Sequence, residues 1–211
     1  MARLYPLFAD LAGQKVVVVG GGQVAERKVE TLLDCEAAVV VVSPDVTAKL
    51  AELADKGQIQ IESHRYRHGD LVGAWLVISA CDDLAVNQQV HSEADQRGIL
   101  CNVVDQPHLC TFQVPSVVNR GSLQIAISTE GVSPALAKRI RRELQEQYGS
   151  YYETLLAALR ELREHVKRKY PNDQQKRAAI FEEFVNSQAI DLLGAGKIDV
   201  FQRLLGQYRE K

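Results

Sequence analysis

The sequence predicts an α/β fold, in which a parallel sheet is followed by a β-hairpin and then by an α-helical C-terminal part. Three observations lead there. Lys15 is followed by four valines and three glycines. From there to Val104, strand-like apolar runs alternate with amphipathic, helix-like stretches. Past Pro107 the pattern becomes two β-rich runs and then helices alone. Alternating strands and helices imply right-handed βαβ crossovers and a parallel sheet, which takes its ligands at the carboxyl ends of the strands.

Taken in order, Leu4 to Leu11 is a short apolar lead-in expected beside the first strand. Val16 to Val19 reads as a strand buried on both faces. The glycines after it permit a tight turn and close approach to a ligand, and a helix must then begin with its first N–H groups free to face an anion. Gly20, Gly22 and Ala25 fit the G-x-G-x-x-G/A fingerprint of dinucleotide-binding, Rossmann-like domains. The following helix places Ala25, Val29, Leu32 and Leu33 on one face. Ala37 to Val42 reads as a second buried strand, ended by Ser43-Pro44-Asp45. Asp45 stands about where a carboxylate meets the adenosine ribose hydroxyls. Ser43 or Asp45 also suits the cap of a helix starting near Val46, and both roles can hold together. Lys49, one turn on, could soften repulsion of a ribose phosphate by Asp45.

Ile59 to Ile61 and Trp75 to Ala80 read as the third and fourth strands. Leu84 to Arg97 is a helix with Val86, Val90 and Ala94 in a row, Asp82 and Asp83 as caps, and Gly98 as its stop. Ile99 to Val104 is the fifth strand. The loops Gly20 to Ala25, Ser43 to Asp45 and Ala80 to Asp83 should converge at one sheet edge. Asp105, just past the fifth strand, should share that edge, as a general base or as a solvated turn former. Phe112 to Val118 and Leu123 to Ser128 read as a hairpin about Asn119 to Ser122. Ser133 caps the next helix with Pro134 at its first position. That helix carries Lys138, Arg139, Arg141 and Arg142, a solvated basic face or a surface for a polyanion. From Tyr151 a helix runs to Pro171 with Leu155, Leu159, Leu162 and Val166 on one stripe. Shorter helices follow around Ala178 to Val185 and Val200 to Tyr208.

The 46% of hydrophobic residues in 211 suffice for a core, and a net charge of −2 gives no whole-chain basis for nucleic-acid binding. Met1 to Asp10 lacks the apolar run of a signal peptide and other apolar runs are too short to span a bilayer, so a soluble, cytoplasmic chain is expected. Cys35, Cys81, Cys101 and Cys110 make no C-x-x-C pair, so reduced, mostly buried cysteines are expected. His64, His68, His91, His108 and His165 are scattered, without carboxylate neighbours or a metal-ligand spacing. No metal site is therefore expected.

Four motifs, in order, resemble the precorrin-2 dehydrogenase family of sirohaem synthesis. They are Gly20-Gly21-Gly22-Gln23-Val24-Ala25-Glu26-Arg27-Lys28; Asn102-Val103-Val104-Asp105; Val114-Pro115-Ser116 with Asn119-Arg120; and Ser128-Thr129-Glu130-Gly131-Val132-Ser133-Pro134-Ala135-Leu136-Ala137. The resemblance covers nearly the whole chain and is to the stand-alone form, or to the N-terminal module of multifunctional sirohaem synthases.

It implies NAD-dependent oxidation of the tetrapyrrole precorrin-2 to sirohydrochlorin and, in some members, ferrochelatase activity, the insertion of ferrous iron. An NAD(H)-sensing regulatory module, or a chelatase with weak dehydrogenase activity, is the alternative. The resemblance also implies a homodimer, dividing the chain into residues 1–112 as the NAD-binding domain, 113–150 as hairpin and helix for dimerisation, and 151–211 as a helical C-terminal domain. Asp105 corresponds to the family's catalytic aspartate. Nucleotide contacts fall on Gln23, Val24, Pro44 and Asp45; with Gly20, Gly22, Ala25, Ser43, Ala80, Cys81, Asn102 and Val103 they form the expected cofactor site. The substrate's many carboxylates make Arg120, Arg139 and Arg142 candidate clamps. Some members are phosphorylated on a serine at the position of Thr129.

Overall fold

A computed structural model describes residues 4–211; residues 1–3, the start of the stretch read for a signal peptide, lie outside the described residues. The chain divides into two compact units that meet in sequence between Val114 and Pro115.

The first unit holds a five-stranded sheet: β1 (Lys15–Val19), β2 (Ala38–Val42), β3 (Gln60–Glu62), β4 (Leu76–Ser79) and β5 (Leu100–Val103), in the order β3-β2-β1-β4-β5 with every pair parallel. The valines of β1 are 0–2% exposed because strand side chains alternate between two covered faces. Val16 and Val18 pack with Ala25, Val29 and Leu32 of α1 (Gln23–Asp34) and Leu50 of α2 (Ala48–Asp55). Val17 and Val19 pack with Val90 and Ala94 of α3 (Leu84–Arg97) and with Tyr66 and Leu71. Burying one such valine contributes roughly 1.5–3 kcal/mol.

Several expectations need correction. In the lead-in only Leu11 packs on the core, whereas Tyr5, Leu7 and Phe8 are exposed. Helix α2 starts at Ala48, capped by Thr47, whose oxygen accepts the Leu50 N–H at 3.3 Å, because the Ser43 hydroxyl turns back to the Asp45 carbonyl at 2.6 Å. Asp83 alone caps α3, accepting the Ala85 and Val86 N–H groups. Only Cys101 among the cysteines is buried, and burial, then the neighbouring Cys110, pushes its thiol up to about 12. His64 does have carboxylate neighbours, Glu62 and Asp70, and His68 lies against Glu93.

Among the described residues, Glu93 is the one charged group the sheet unit buries, at 1% exposure. It accepts from the Tyr66 hydroxyl at 2.6 Å, the Gly69 N–H at 3.0 Å and Arg97 Nε at 2.7 Å. Burial pushes its carboxyl up, but the bonds from Tyr66, Gly69 and Arg97 outweigh that and hold it below the usual range. Such a depressed carboxyl contributes its stability fully above the unfolded value of about 4.3, and loses it as pH falls through the folded value. Glu93→Gln is therefore expected to lower stability by about 2 kcal/mol at neutral pH. In urea unfolding, the difference from the parent should shrink as the pH is taken below about 4.

The second unit begins with the hairpin of β6 (Ser116–Arg120) and β7 (Leu123–Ile127), antiparallel, with Arg120 opposite Leu123. The first strand starts later than expected, because Pro115 lacks an N–H and Thr111 is tied to β5 by its N–H on the Cys101 carbonyl at 2.8 Å, whereas the second starts at Leu123 as expected. The turn is Gly121-Ser122, with Gly121 at φ +61°, the glycine-first arrangement of a tight hairpin. Helix α4 (Pro134–Gln147) is capped by Ser133, which accepts the Leu136 N–H at 3.2 Å. Then come α5 (Tyr151–Lys169), α6 (Gln174–Val185), α7 (Ala189–Gly194) and α8 (Ile198–Glu210). Leu155, Leu162 and Val166 of α5 close on Phe184, Phe201 and Leu205, one core shared by α5 to α8. Short α7, too brief to show a periodic stripe in the sequence, supplies buried Ala189, Leu192 and Leu193.

Candidate cofactor and proton-transfer site

The glycine turn leaves β1 at Gly20, whose N–H bonds the Val42 carbonyl at 2.9 Å. A Cβ on Gly20 would lie 2.5 Å from the Ala80 carbonyl oxygen, and one on Gly21 would lie 2.1 Å from the Asp45 carbonyl oxygen. The loops after β1, β2 and β4 thus meet, and only glycine fits between them. Gly22 differs: a Cβ there would meet no atom within 4 Å. Gly22 also caps α1 without a side-chain hydrogen bond, so the N–H groups of Gln23, Val24 and Ala25 begin the helix beside open space. An uncapped helix N-terminus with room above it fits the pyrophosphate of a dinucleotide.

Around this turn the polar groups are tied down. Thr47 donates its N–H to the Gly21 carbonyl at 2.9 Å and its hydroxyl to Glu26 Oε2 at 2.6 Å, joining α1 to α2. Asp45 is exposed beside Pro44, and Ser43 is buried. Lys49 forms an ion pair with Glu30, which engages the ammonium that would otherwise be free to meet a ribose phosphate. Behind Ala80 and Cys81, the Ser79 hydroxyl donates to Asn87 Oδ1 at 2.6 Å and Asn87 Nδ2 donates to the Cys81 carbonyl at 3.0 Å.

At the end of β5, Asn102 turns its amide to the Phe112 carbonyl at 3.0 Å, so it fastens a loop from inside the fold. Val103 is buried. The Gln106 N–H bonds the Val103 carbonyl at 3.2 Å, closing a turn whose third residue, Asp105, stands at φ +59°. Third positions with positive φ are usually glycine or asparagine. Here an exposed aspartate holds that conformation past the carboxyl end of a strand in the same parallel sheet.

The arginines behave differently. Arg120 commits Nε to the Tyr148 carbonyl at 2.8 Å, Nη2 to the Gln145 carbonyl at 3.0 Å and Nη1 to the Asn119 carbonyl at 2.9 Å. It closes the C-terminal end of α4, where a cation is favoured. Arg139 pairs with Glu143 at 2.8 Å, and Arg142 is exposed. Thr129 accepts the Ser133 N–H at 3.2 Å, holding the start of α4.

Gly21, Thr47, Asn87 and Cys110 join the site without having been expected there. The fingerprint leaves the position of Gly21 free, although three glycines in a row were a signal. Thr47 stands three residues before the first buried residue of α2, Leu50, a capping spacing. Asn87 and Cys110 act across loops and leave no local pattern.

A family described as "Putative NAD(P)-binding" matches residues 7–116, and one described as "Sirohaem biosynthesis protein central" matches residues 120–147. The sirohaem synthase of Pseudomonas fluorescens is 40% identical over 200 residues, 95% of this chain and 43% of that protein. That of Methylobacillus flagellatus is 40% identical over 202 residues, 96% of this chain and 40% of that protein. The chain thus spans about two fifths of the curated relatives it matches. A solved structure, SirC, a precorrin-2 dehydrogenase, superposes with a TM-score of 0.84 at 32% identity, covering 98% of this chain and 99% of that one. With the glycine turn, the sheet order and the hairpin all in place, the chain belongs to the precorrin-2 dehydrogenase family of sirohaem biosynthesis.

Proposed function

We propose that this chain is an NAD-dependent oxidoreductase that converts precorrin-2 to sirohydrochlorin. The end-to-end likeness to the solved precorrin-2 dehydrogenase carries the reading. Bound NAD supplies the hydride acceptor. The N–H groups opening α1 hold its pyrophosphate, and Asp45 takes the ribose hydroxyls. Asp45 repels a 2′-phosphate, and Lys49 is paired with Glu30, which favours NAD over NADP. Ser79 and Asn87 fix the backbone at Ala80 and Cys81 that faces the glycine turn.

As a hydride leaves the reduced macrocycle, a ring proton must leave too, and the Asp105 carboxylate accepts it. The substrate's carboxylates are neutralised by Arg142, and by Arg139 once it exchanges Glu143 for substrate. Arg120 drops out as a clamp in this reading, since it closes α4. The working form is a cytoplasmic homodimer joined through residues 113–150.

Mixing the full chain with precorrin-2 and NAD should give NADH and sirohydrochlorin in equal amounts by absorbance. Absence of both sinks the dehydrogenase reading. Ferrous or cobalt ion added to sirohydrochlorin without NAD reads metal insertion separately. A sizing column on the same preparation reads the homodimer, with a monomer counting against it.

A further inference from the structure

Cys110 follows the 3₁₀ turn Pro107–Leu109 and reaches back to the turn that carries Asp105. Its sulfur accepts the Val103 N–H at 3.2 Å. The same sulfur lies 3.3 Å from the Val103 carbonyl and 3.3 Å from the Gln106 carbonyl, to either of which its one S–H donates. Val103 and Gln106 are the two ends of the turn in which Asp105 is third. Asn102 stands behind, its Nδ2 3.6 Å from the sulfur and 3.0 Å from the Phe112 carbonyl. Thr111 completes the lock: its N–H meets the Cys101 carbonyl at 2.8 Å, and its Oγ1 accepts the Cys101 N–H at 2.8 Å.

A turn with positive φ at its third residue relaxes readily when that residue is not glycine. Once the ends of the turn part, nothing keeps the third residue at positive φ, and it returns to the negative φ that L-residues prefer. For Asp105 that change would re-aim the carboxylate. Both ends of the turn are held by one polarizable sulfur, and the Val104 N–H is held by the Ser79 carbonyl at 2.9 Å.

We propose that Cys110, backed by Asn102, is a positioning residue that pins both ends of the turn and so holds the Asp105 carboxylate in its working direction. This rests on the reading of Asp105 as proton acceptor. Alanine at Cys110 removes every bond of the sulfur, whereas serine keeps one donor and one acceptor on a shorter arm.

The test compares the full chain with Cys110→Ala, Cys110→Ser, Asn102→Ala, Asp105→Asn and the Cys110→Ala/Asp105→Asn double variant. Each is assayed for NADH formation from precorrin-2 and NAD, for NADH binding by fluorescence, and for thermal unfolding. Cys110→Ala should lower kcat about tenfold or more with KM and NADH affinity unchanged, and Asn102→Ala should lower kcat to a similar degree. Cys110→Ser should recover most of the rate, and Cys110→Ala should add no further loss to Asp105→Asn. The proposal is overturned if Cys110→Ala and Asn102→Ala keep the parental kcat, or if Cys110→Ala costs the same factor with Asp105 absent. It is also overturned if Cys110→Ala and Asn102→Ala both lose the folded state, which makes the clamp scaffolding only. Parental turnover by Asp105→Asn would instead sink the reading of Asp105 itself.

Discussion

Asp105→Asn is expected to lower the turnover of precorrin-2 roughly 10³-fold, within the range for loss of a general base, while the fold and NADH binding persist. Asparagine is the informative replacement because it separates charge from conformation. Asp105 sits at φ +59°, and asparagine enters the left-handed region as readily as aspartate. The turn closed by the Gln106 N–H on the Val103 carbonyl therefore survives, and only the carboxylate is lost. Asp105→Ala would mix the two effects, because alanine in that region costs roughly 1–2 kcal/mol more than a residue suited to it. The measurement is kcat from NADH absorbance beside an NADH fluorescence titration. An Asp105→Asn protein with parental kcat and parental NADH affinity would show that the carboxylate takes no proton in the rate-determining step.

The conformation of Asp105 was beyond reach of the sequence, although its position was not. A strand of apolar residues ending in Asn102-Val103-Val104-Asp105 places the aspartate at the ligand edge through strand direction alone. Its turn is bonded by Cys110, five residues on, beside Thr111, whose bonds to Cys101 are set by a return of the chain. The same contrast runs through the molecule. Val16 to Val19, the helix from Gln23, Gly98 at φ +67° and the Ser133-Pro134 start all follow from local periodicity and local caps. Arg120 does not, because a basic residue in a hairpin gives no sign that the carbonyls of Gln145 and Tyr148 will come to meet it. Nor did Ser43 announce that it would turn back on Asp45 and leave the helix cap to Thr47. Non-local hydrogen bonds decide Arg120, whereas at Ser43 and Thr47 two neighbouring hydroxyls compete for local backbone groups and periodicity does not say which one caps the helix.

Gly21→Ala and Gly22→Ala should fail in opposite ways. At Gly21 the added methyl would sit 2.1 Å from the Asp45 carbonyl oxygen, 2.9 Å from Ser43 Oγ and 2.9 Å from Val46 Cγ1. A backbone oxygen cannot rotate aside. Moving it means parting the loop after β2 from the glycine turn and breaking the bond from the Thr47 N–H to the Gly21 carbonyl. Gly21→Ala is therefore expected to cost at least about 3 kcal/mol of stability and to abolish measurable NADH binding. At Gly22 the backbone, at φ −83°, accepts an L-residue, and the methyl meets no protein atom within 4 Å. Its only obstacle is a ligand, since the methyl projects into the space beside the first N–H groups of α1. Gly22→Ala should then unfold at the parental temperature yet weaken NADH binding about tenfold or more, which is ~1.4 kcal/mol. Thermal unfolding and NADH titration of the two proteins decide the matter. Equal NADH affinity for Gly22→Ala and the parent would remove the pyrophosphate from the N-terminus of α1, and with it the placement of NAD on the sheet edge that Asp105 shares.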